Sequence, residues 1–241
     1  MYNGKYGILG LPAVYADDNE SQTVEILLED ESTGVQVILK YGILPDLDVI
    51  TRCVSVKNAG AETIYIDKVL SASVDFLCGN YELLHFHGRH NMERNLERIP
   101  VIHGKQHIGS RRGASSHQQN PFVIVAKEGT TEDFGGCYGM SLLYSGNFSF
   151  EIEKDQYEQT RMQIGISDEM FDYPLHPGES FDSPEAAMVY STNGLSSLYA
   201  NMYAAENIKQ SDALSLSTTG KPPTLTLQGK ILFALPDKLL N

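Results

Sequence analysis

The sequence predicts an all-β fold, an antiparallel sandwich of two stacked sheets closed by one helix near its C-terminal end. Three observations carry that prediction. From Thr23 onward apolar and polar residues alternate with period two in one short segment after another. Clusters of turn residues separate these segments. Four of them arrive before residue 80 with no helical pattern between, which excludes an alternating β-α-β chain and its parallel sheet.

Residues 1–18 are rich in glycine and tyrosine, lack periodicity and read as an irregular lead-in. Val24, Ile26 and Leu28 then alternate with Glu25, Leu27 and Glu29, the pattern of a half-buried strand. The turn cluster 30–34 and a second alternation through Val35, Val37 and Leu39 complete a hairpin. Residues 48–57 form a third strand that stops at Asn58-Ala59-Gly60. A fourth, 63–76, changes parity midway, which predicts a bulge or a break. Further strands are expected at 122–126 and 138–144, around Phe148, Phe150 and Ile152, around Met162, Ile164 and Ile166, at Phe181, and at 187–190, about ten strands in all. Leu195, Leu198, Tyr199, Met202 and Tyr203 fall at i, i+3, i+4, i+7 and i+8 and predict the helix, with Asn193-Gly194 or Ser196 as its cap.

Composition narrows the function. With 241 residues the chain has room for a substantial core. A net charge of −13 argues against nucleic acid and anionic membrane as partners, since Arg111 and Arg112 are the one adjacent basic pair. No apolar run approaches the ~18 residues of a membrane-crossing helix. The start, MYNGKYGILGLP, shows no signal-peptide core, and three cysteines without a C-x-x-C pair fit reduced thiols, so a cytoplasmic location is expected.

Residues 104–122, GKQHIGSRRGASSHQQNPF, look too polar for a core strand and are expected to form an ordered rim loop. Its arginine forks, amides and hydroxyls suit a sugar or a neighbouring domain, and equally suit hydrogen bonds to its own backbone. Arg111, Arg112, Ser115, Ser116, His117 and Asn120 are the candidate contact residues. His85, His87 and His90 spell H-x-H-x-x-H, but no carboxylate stands at ligand spacing and Arg89 and Arg94 add charge. They read as exposed histidines at a strand end, and neither metal nor cofactor is expected. Ser115, Ser116 and His117 lack the G-x-S-x-G context of a nucleophile. Thirty-one acids offer no pair that spacing singles out for glycoside cleavage, and most sit in turns or point outward on strands.

A series of motifs recurs in order: Gly10-Leu11-Pro12-Ala13, Glu29-Asp30, Asp48-Val49-Ile50-Thr51-Arg52, Leu70-Ser71-Ala72-Ser73, Tyr81-Glu82-Leu83-Leu84 and Gly109-Ser110-Arg111-Arg112-Gly113. After them come Ala114-Ser115-Ser116-His117-Gln118, Asn120-Pro121-Phe122, Tyr144-Ser145-Gly146-Asn147-Phe148 and Pro177-Gly178-Glu179-Ser180-Phe181. The chain therefore resembles, from about Lys5 to about Tyr203, the N-terminal β-supersandwich domain of bacterial α-galactosidases of glycoside hydrolase family 36. The resemblance implies a following (β/α)₈ barrel that releases terminal α-galactosyl groups from sugars such as melibiose and raffinose. It also implies a retaining mechanism carried by two barrel aspartates, no metal, and frequent tetramers. No barrel motif can be placed on this sequence, so no catalytic residue is carried over, and the family domain begins upstream of Met1.

The expected organisation is a supersandwich domain over 1–206, lacking its first strands, and an off-family tail over 207–241. Family members enter the barrel through a stretch close to RPVLINNWEATYFDF. Plausible codons for it, read one nucleotide out of frame, give ALSLSTTGKPPTLTL, residues 213–227, so the tail is expected to be a frameshift product. The chain is read as a non-catalytic fragment of an α-galactosidase whose partners are the enzyme's barrel and further copies of itself. The alternatives are a free-standing galactoside-binding sandwich, with Tyr138, Tyr144 and Tyr157 as its stacking surface, and a purely architectural oligomerisation module.

Overall fold

The computed structural model describes residues 1–8 and 10–207. The tail from 208, with the frameshift reading made of it, lies outside the described residues.

The strands are β1 (Tyr2–Asn3), β2 (Gln22–Asp30), β3 (Val35–Leu44), β4 (Val49–Asn58), β5 (Ile64–Ile66), β6 (Leu70–Phe76), β7 (Tyr81–Arg89) and β8 (Met92–Pro100). They continue as β9 (Gly104–Ser110), β10 (Gln119–Lys127), β11 (Cys137–Leu142), β12 (Phe148–Lys154), β13 (Thr160–Ile166), β14 (Tyr173–Leu175), β15 (Ser180–Asp182) and β16 (Ala186–Ser191), and α1 (Gly194–Asn207) follows. A large antiparallel sheet runs β1-β2-β3-β4-β16-β11-β10-β7-β8, with β15 beside β16 on the same edge of β4. A three-stranded sheet, β12-β13-β6, and a two-stranded one, β14-β5, stack on it. The predicted sandwich and its closing helix are both present.

Parity explains the layering. On β7 and β10, Leu83, Val123 and Val125 face the three-stranded sheet, where they meet Phe148, Phe150, Ile152, Met162 and Ile164. Their neighbours Leu84, Ile124 and Ala126 face the opposite way, onto Leu195, Leu198, Tyr199 and Met202 of α1. β10 is therefore buried on both faces, which is why it reads as the unbroken run Phe122-Val123-Ile124-Val125-Ala126. Beside α1, Val14 and Ala16 of the lead-in cover the same face. Burying a side chain the size of Leu198 contributes about 1.5–3 kcal/mol.

Several expectations change. The parity break in 63–76 is a full break: β5 and β6 belong to different sheets. The lead-in is a strap, bridged Lys5 to Ala16 by paired backbone hydrogen bonds of 2.8 and 3.0 Å. Neither Asn193 nor Ser196 caps α1 through its side chain. The amides of Gly194, Leu195 and Ser196 donate instead to the carbonyls of Gly135, Thr131 and Glu132 at 3.0–3.1 Å, so a neighbouring loop satisfies the helix start.

The stretch 104–122 is not one loop. Its first part is β9, lying beside β12 with Ile108 buried and His107 Nε2 3.1 Å from Ser149 Oγ. One apolar side chain is enough there, because only one face of β9 meets the core. β2 also differs from expectation: Ile26 and Leu28, read as inward, are 43% and 51% exposed, and Leu27 on the other face is 58% exposed. Alternation located the strand, but nothing in the described residues covers this part of it.

Candidate functional site

The candidate contact residues fall at the end of the large sheet where the loop 111–118 joins β9 to β10. This loop is held from two sides. Gly113 N donates to Asn147 Oδ1 at 2.7 Å and Ser115 N to the Ser145 carbonyl at 2.7 Å, which ties it to the turn before β12. Gln118 N donates to Ser116 Oγ at 3.3 Å and Gln119 N to the Ser116 carbonyl at 3.2 Å, closing the loop on itself. The self-bonded reading holds in part: the loop satisfies some of its own backbone and is stitched to a neighbouring turn of the same domain.

The six candidates do not converge on one point. Arg111 is exposed and paired with Glu169, while Arg112 points into solvent. Ser115 is half-buried, and the Ser116 hydroxyl is used within the loop. Half-buried His117 lies towards the β7–β8 hairpin, where its charge and that of His90 bear on Glu93. Backbone amides hydrogen-bonded to the Glu93 carboxylate hold it below the usual range, and the histidines add to this. Asn120 stands where β10 shifts register against β7 between Gln119 and Val123, an irregularity that re-aims the side chains.

Beneath the loop lies a cluster that the sequence reading missed. His85 was expected at an exposed strand end; it is instead 6% exposed in the middle of β7. Its Nε2 is 3.2 Å from Glu97 Oε2, with His87 Nε2 3.7 Å from the same oxygen. The carboxylate absent from the local spacing comes from across the strand pair, since Glu97 is the register partner of His85 on β8. Gln119, paired with His87 on β10, supplies the third wall. Burial pushes the His85 imidazole below its usual range, against the pull of Glu97. Among the described residues no three His, Cys, Asp or Glu side chains are placed to hold a metal.

Acids were expected to lie in turns or outward, and Glu185 departs from that. It is 2% exposed, with Oε1 2.6 Å from Lys5 Nζ and Oε2 accepting from Val14 N at 2.7 Å, while Lys5 Nζ also donates to the Val14 carbonyl. No local pattern announces a pair so far apart along the chain. The hint was Lys5, the one basic side chain of the lead-in, in a segment that lies against a sheet. The three tyrosines considered as a stacking surface lie on separate segments: Tyr138 stacks on Tyr190, Tyr144 covers Gly146, and Tyr157 stands exposed in the turn after β12.

The model of the glycosyl hydrolase family 36 N-terminal domain matches residues 1–176. The chain belongs to that family. It is 56% identical over 196 residues to the bifunctional α-galactosidase/sucrose kinase AgaSK of Mediterraneibacter gnavus, covering 81% of this chain and 21% of the relative. Against the α-galactosidase AgaA of Geobacillus stearothermophilus the identity is 43% over 207 residues, covering 84% and 28%. The solved galactosidase domain of AgaSK superposes with a TM-score of 0.83 at 53% identity, over 85% of this chain and 28% of that one. AgaA in complex with stachyose gives 0.84 at 41%, over 86% and 29%. The chain thus spans less than a third of the length of these relatives, and the likeness read from the sequence motifs is established.

Proposed function

We propose that this chain is the N-terminal, non-catalytic domain of a cytoplasmic α-galactosidase acting on terminal α-galactosyl groups of melibiose- or raffinose-type sugars. Its part is structural. It packs against the catalytic barrel and supports contacts between copies, with the loop 111–118 facing the barrel or a neighbouring subunit.

The observation that carries this reading is the family match over residues 1–176, set beside relatives named as α-galactosidases of which the chain covers 21–28%. The disposition of the acids supports it. Glycoside hydrolysis takes two carboxylates facing each other across the sugar, about 5–9.5 Å apart. The one deeply buried carboxylate among the described residues, Glu185, is already taken by a lysine and a backbone amide. A rim loop braced by Asn147 and Ser145, with Arg112 turned outward, offers fixed donors to another polypeptide surface. Three cysteines outside any disulfide fit a reducing compartment.

Incubation of the purified chain with 4-nitrophenyl α-galactoside tests the reading. No release above the buffer rate is expected; turnover that disappears on substituting an acid of this chain would overturn it.

A further inference from the structure

Buried polar atoms in a folded domain are almost always paired, so two orphans side by side require a physical reason. Among the described residues such a pair is His85 Nδ1 and Gln119 Oε1, both buried, both without a hydrogen-bond partner, on side chains that bear on each other. They lie on the face of the large sheet that carries Leu83 and Val123, under an apolar roof that includes Ile108 and Phe148. The titratable groups facing His85 are Glu97, opposite it on β8, and His87 on its own strand, while β10 presents Val123 and the neutral Gln119.

The chemistry of these partners fixes where the protons go. A carboxylate only accepts, so Nε2 of His85, 3.2 Å from Glu97 Oε2, carries its hydrogen. In a neutral imidazole Nδ1 is then a bare acceptor, and it faces the amide oxygen of Gln119, a second acceptor. Two changes satisfy both atoms, and each belongs to one charge state. A half-turn of the amide brings its NH₂ to Nδ1 of a neutral His85. A second proton, taken from solvent onto Nδ1, makes His85 a cation that donates to Oε1 as it stands.

We propose that His85 and Gln119 form a proton-linked switch at the root of the loop 111–118: neutral His85 turns the Gln119 amide nitrogen inward, and protonated His85 turns the oxygen inward. Gln119 opens β10, its backbone N–H donates to the Ser116 carbonyl at 3.2 Å, and its side chain is half-buried. The end of the amide turned away from His85 is therefore offered at the rim. Proton uptake in the cluster changes that end from an acceptor to a donor, with no bond broken other than hydrogen bonds. Burial opposes the charged form and places the change below the usual histidine range. The proposal does not depend on the galactosidase reading.

The test follows the ring nitrogens of His85 and the side-chain NH₂ of Gln119 by NMR in the purified chain as pH is lowered from 7.5. The neutral ring is expected to carry its hydrogen on Nε2. The Gln119 NH₂ signals are expected to move with the His85 midpoint, and to stay still over the same range in His85→Gln. Gln119→Leu removes the acceptor of the charged form, the stronger of the two hydrogen bonds, and should lower the His85 midpoint by about one pH unit, tenfold in proton affinity. Unfolding would carry the midpoint up towards that of a free histidine, so a fall cannot come from loss of fold. The proposal is overturned if the neutral ring carries its hydrogen on Nδ1, if the Gln119 NH₂ ignores the titration of His85, or if Gln119→Leu leaves the midpoint unchanged or raises it.

Discussion

Replacing Lys5 by methionine tests how the strap is fastened. The substitution keeps the stem and removes the cation, leaving Glu185 buried with only the Val14 amide as a partner. Both side chains are at most 5% exposed, so solvent screening is slight, and breaking such a pair from one side costs about 3–5 kcal/mol. That is a large share of the ~5–15 kcal/mol that holds a domain of this size together. Glu185→Gln alone strands the lysine instead. The double variant Lys5→Met/Glu185→Gln removes both charges while keeping an acceptor for Val14 N, so it should be more stable than the sum of the two losses predicts by at least ~1.5 kcal/mol. Gly42→Ala reaches the pair from below: an added Cβ would lie 2.5 Å from Lys5 Cδ and 2.5 Å from Thr51 Oγ1 and displace the lysine stem. Urea unfolding measures the losses, and hydrogen exchange over residues 4–16 localises them. A loss below ~1 kcal/mol for Lys5→Met, or additivity within ~0.5 kcal/mol, would refute the assignment of the pair as the fastening.

Two further outcomes follow from the environments of buried groups. His85, enclosed by Glu97, His87 and Gln119, has its folded pKa depressed by burial, so the unfolded chain takes up the proton first; stability is full above the unfolded value near ~6.5 and falls as pH drops through it. Urea midpoints at pH 7.5 and 5.5 should diverge for the native chain and converge in His85→Gln, and an equal pH dependence in both would exclude His85 as its source. Burial pushes the Cys53 and Cys137 thiols up to about 11, whereas Cys78 is exposed, so Ellman's reagent should modify one thiol quickly and the remaining two only on unfolding. Three equal rates in folded protein would contradict that burial.

Most of the architecture was legible because it follows from a local period. The doubly buried run at Phe122 and the stripe from Leu195 to Met202 face what their patterns say they face. The failures share a cause: each depends on a residue far away in sequence. β9 was unreadable because its one inward side chain, Ile108, makes no pattern alone. The histidines read as exposed because Glu97 and Gln119 reach His85 and His87 only through strand pairing. Glu185 read as one acid among many until the strap brought Lys5 to it. The stretch 104–122, read as one rim loop, divides into β9, the loop 111–118 and the start of β10, and the loop's anchors Ser145 and Asn147 belong to another turn, so its six candidate residues looked more like a single site than they are.

β2 shows what alternation encodes. A period-two pattern records that one face of a strand is built for cover, and it is silent on where the cover comes from. Along β3 and β4 the cover is β5 and β14, and the side chains beneath are buried or half-buried. One strand further out the same pattern persists through Val24, Ile26 and Leu28, and the roof ends. The acids of β2, Glu25 and Glu29, lie on the face opposite the apolar row, where they stand across from Lys40 and Gln36 of β3. Two kinds of acid thus serve this domain: Glu185 is buried and consumed in holding the fold together, whereas the exposed Glu25 and Glu29 accept from Tyr2 Oη at 3.3 Å and Gln36 Nε2 at 3.0 Å along the sheet surface.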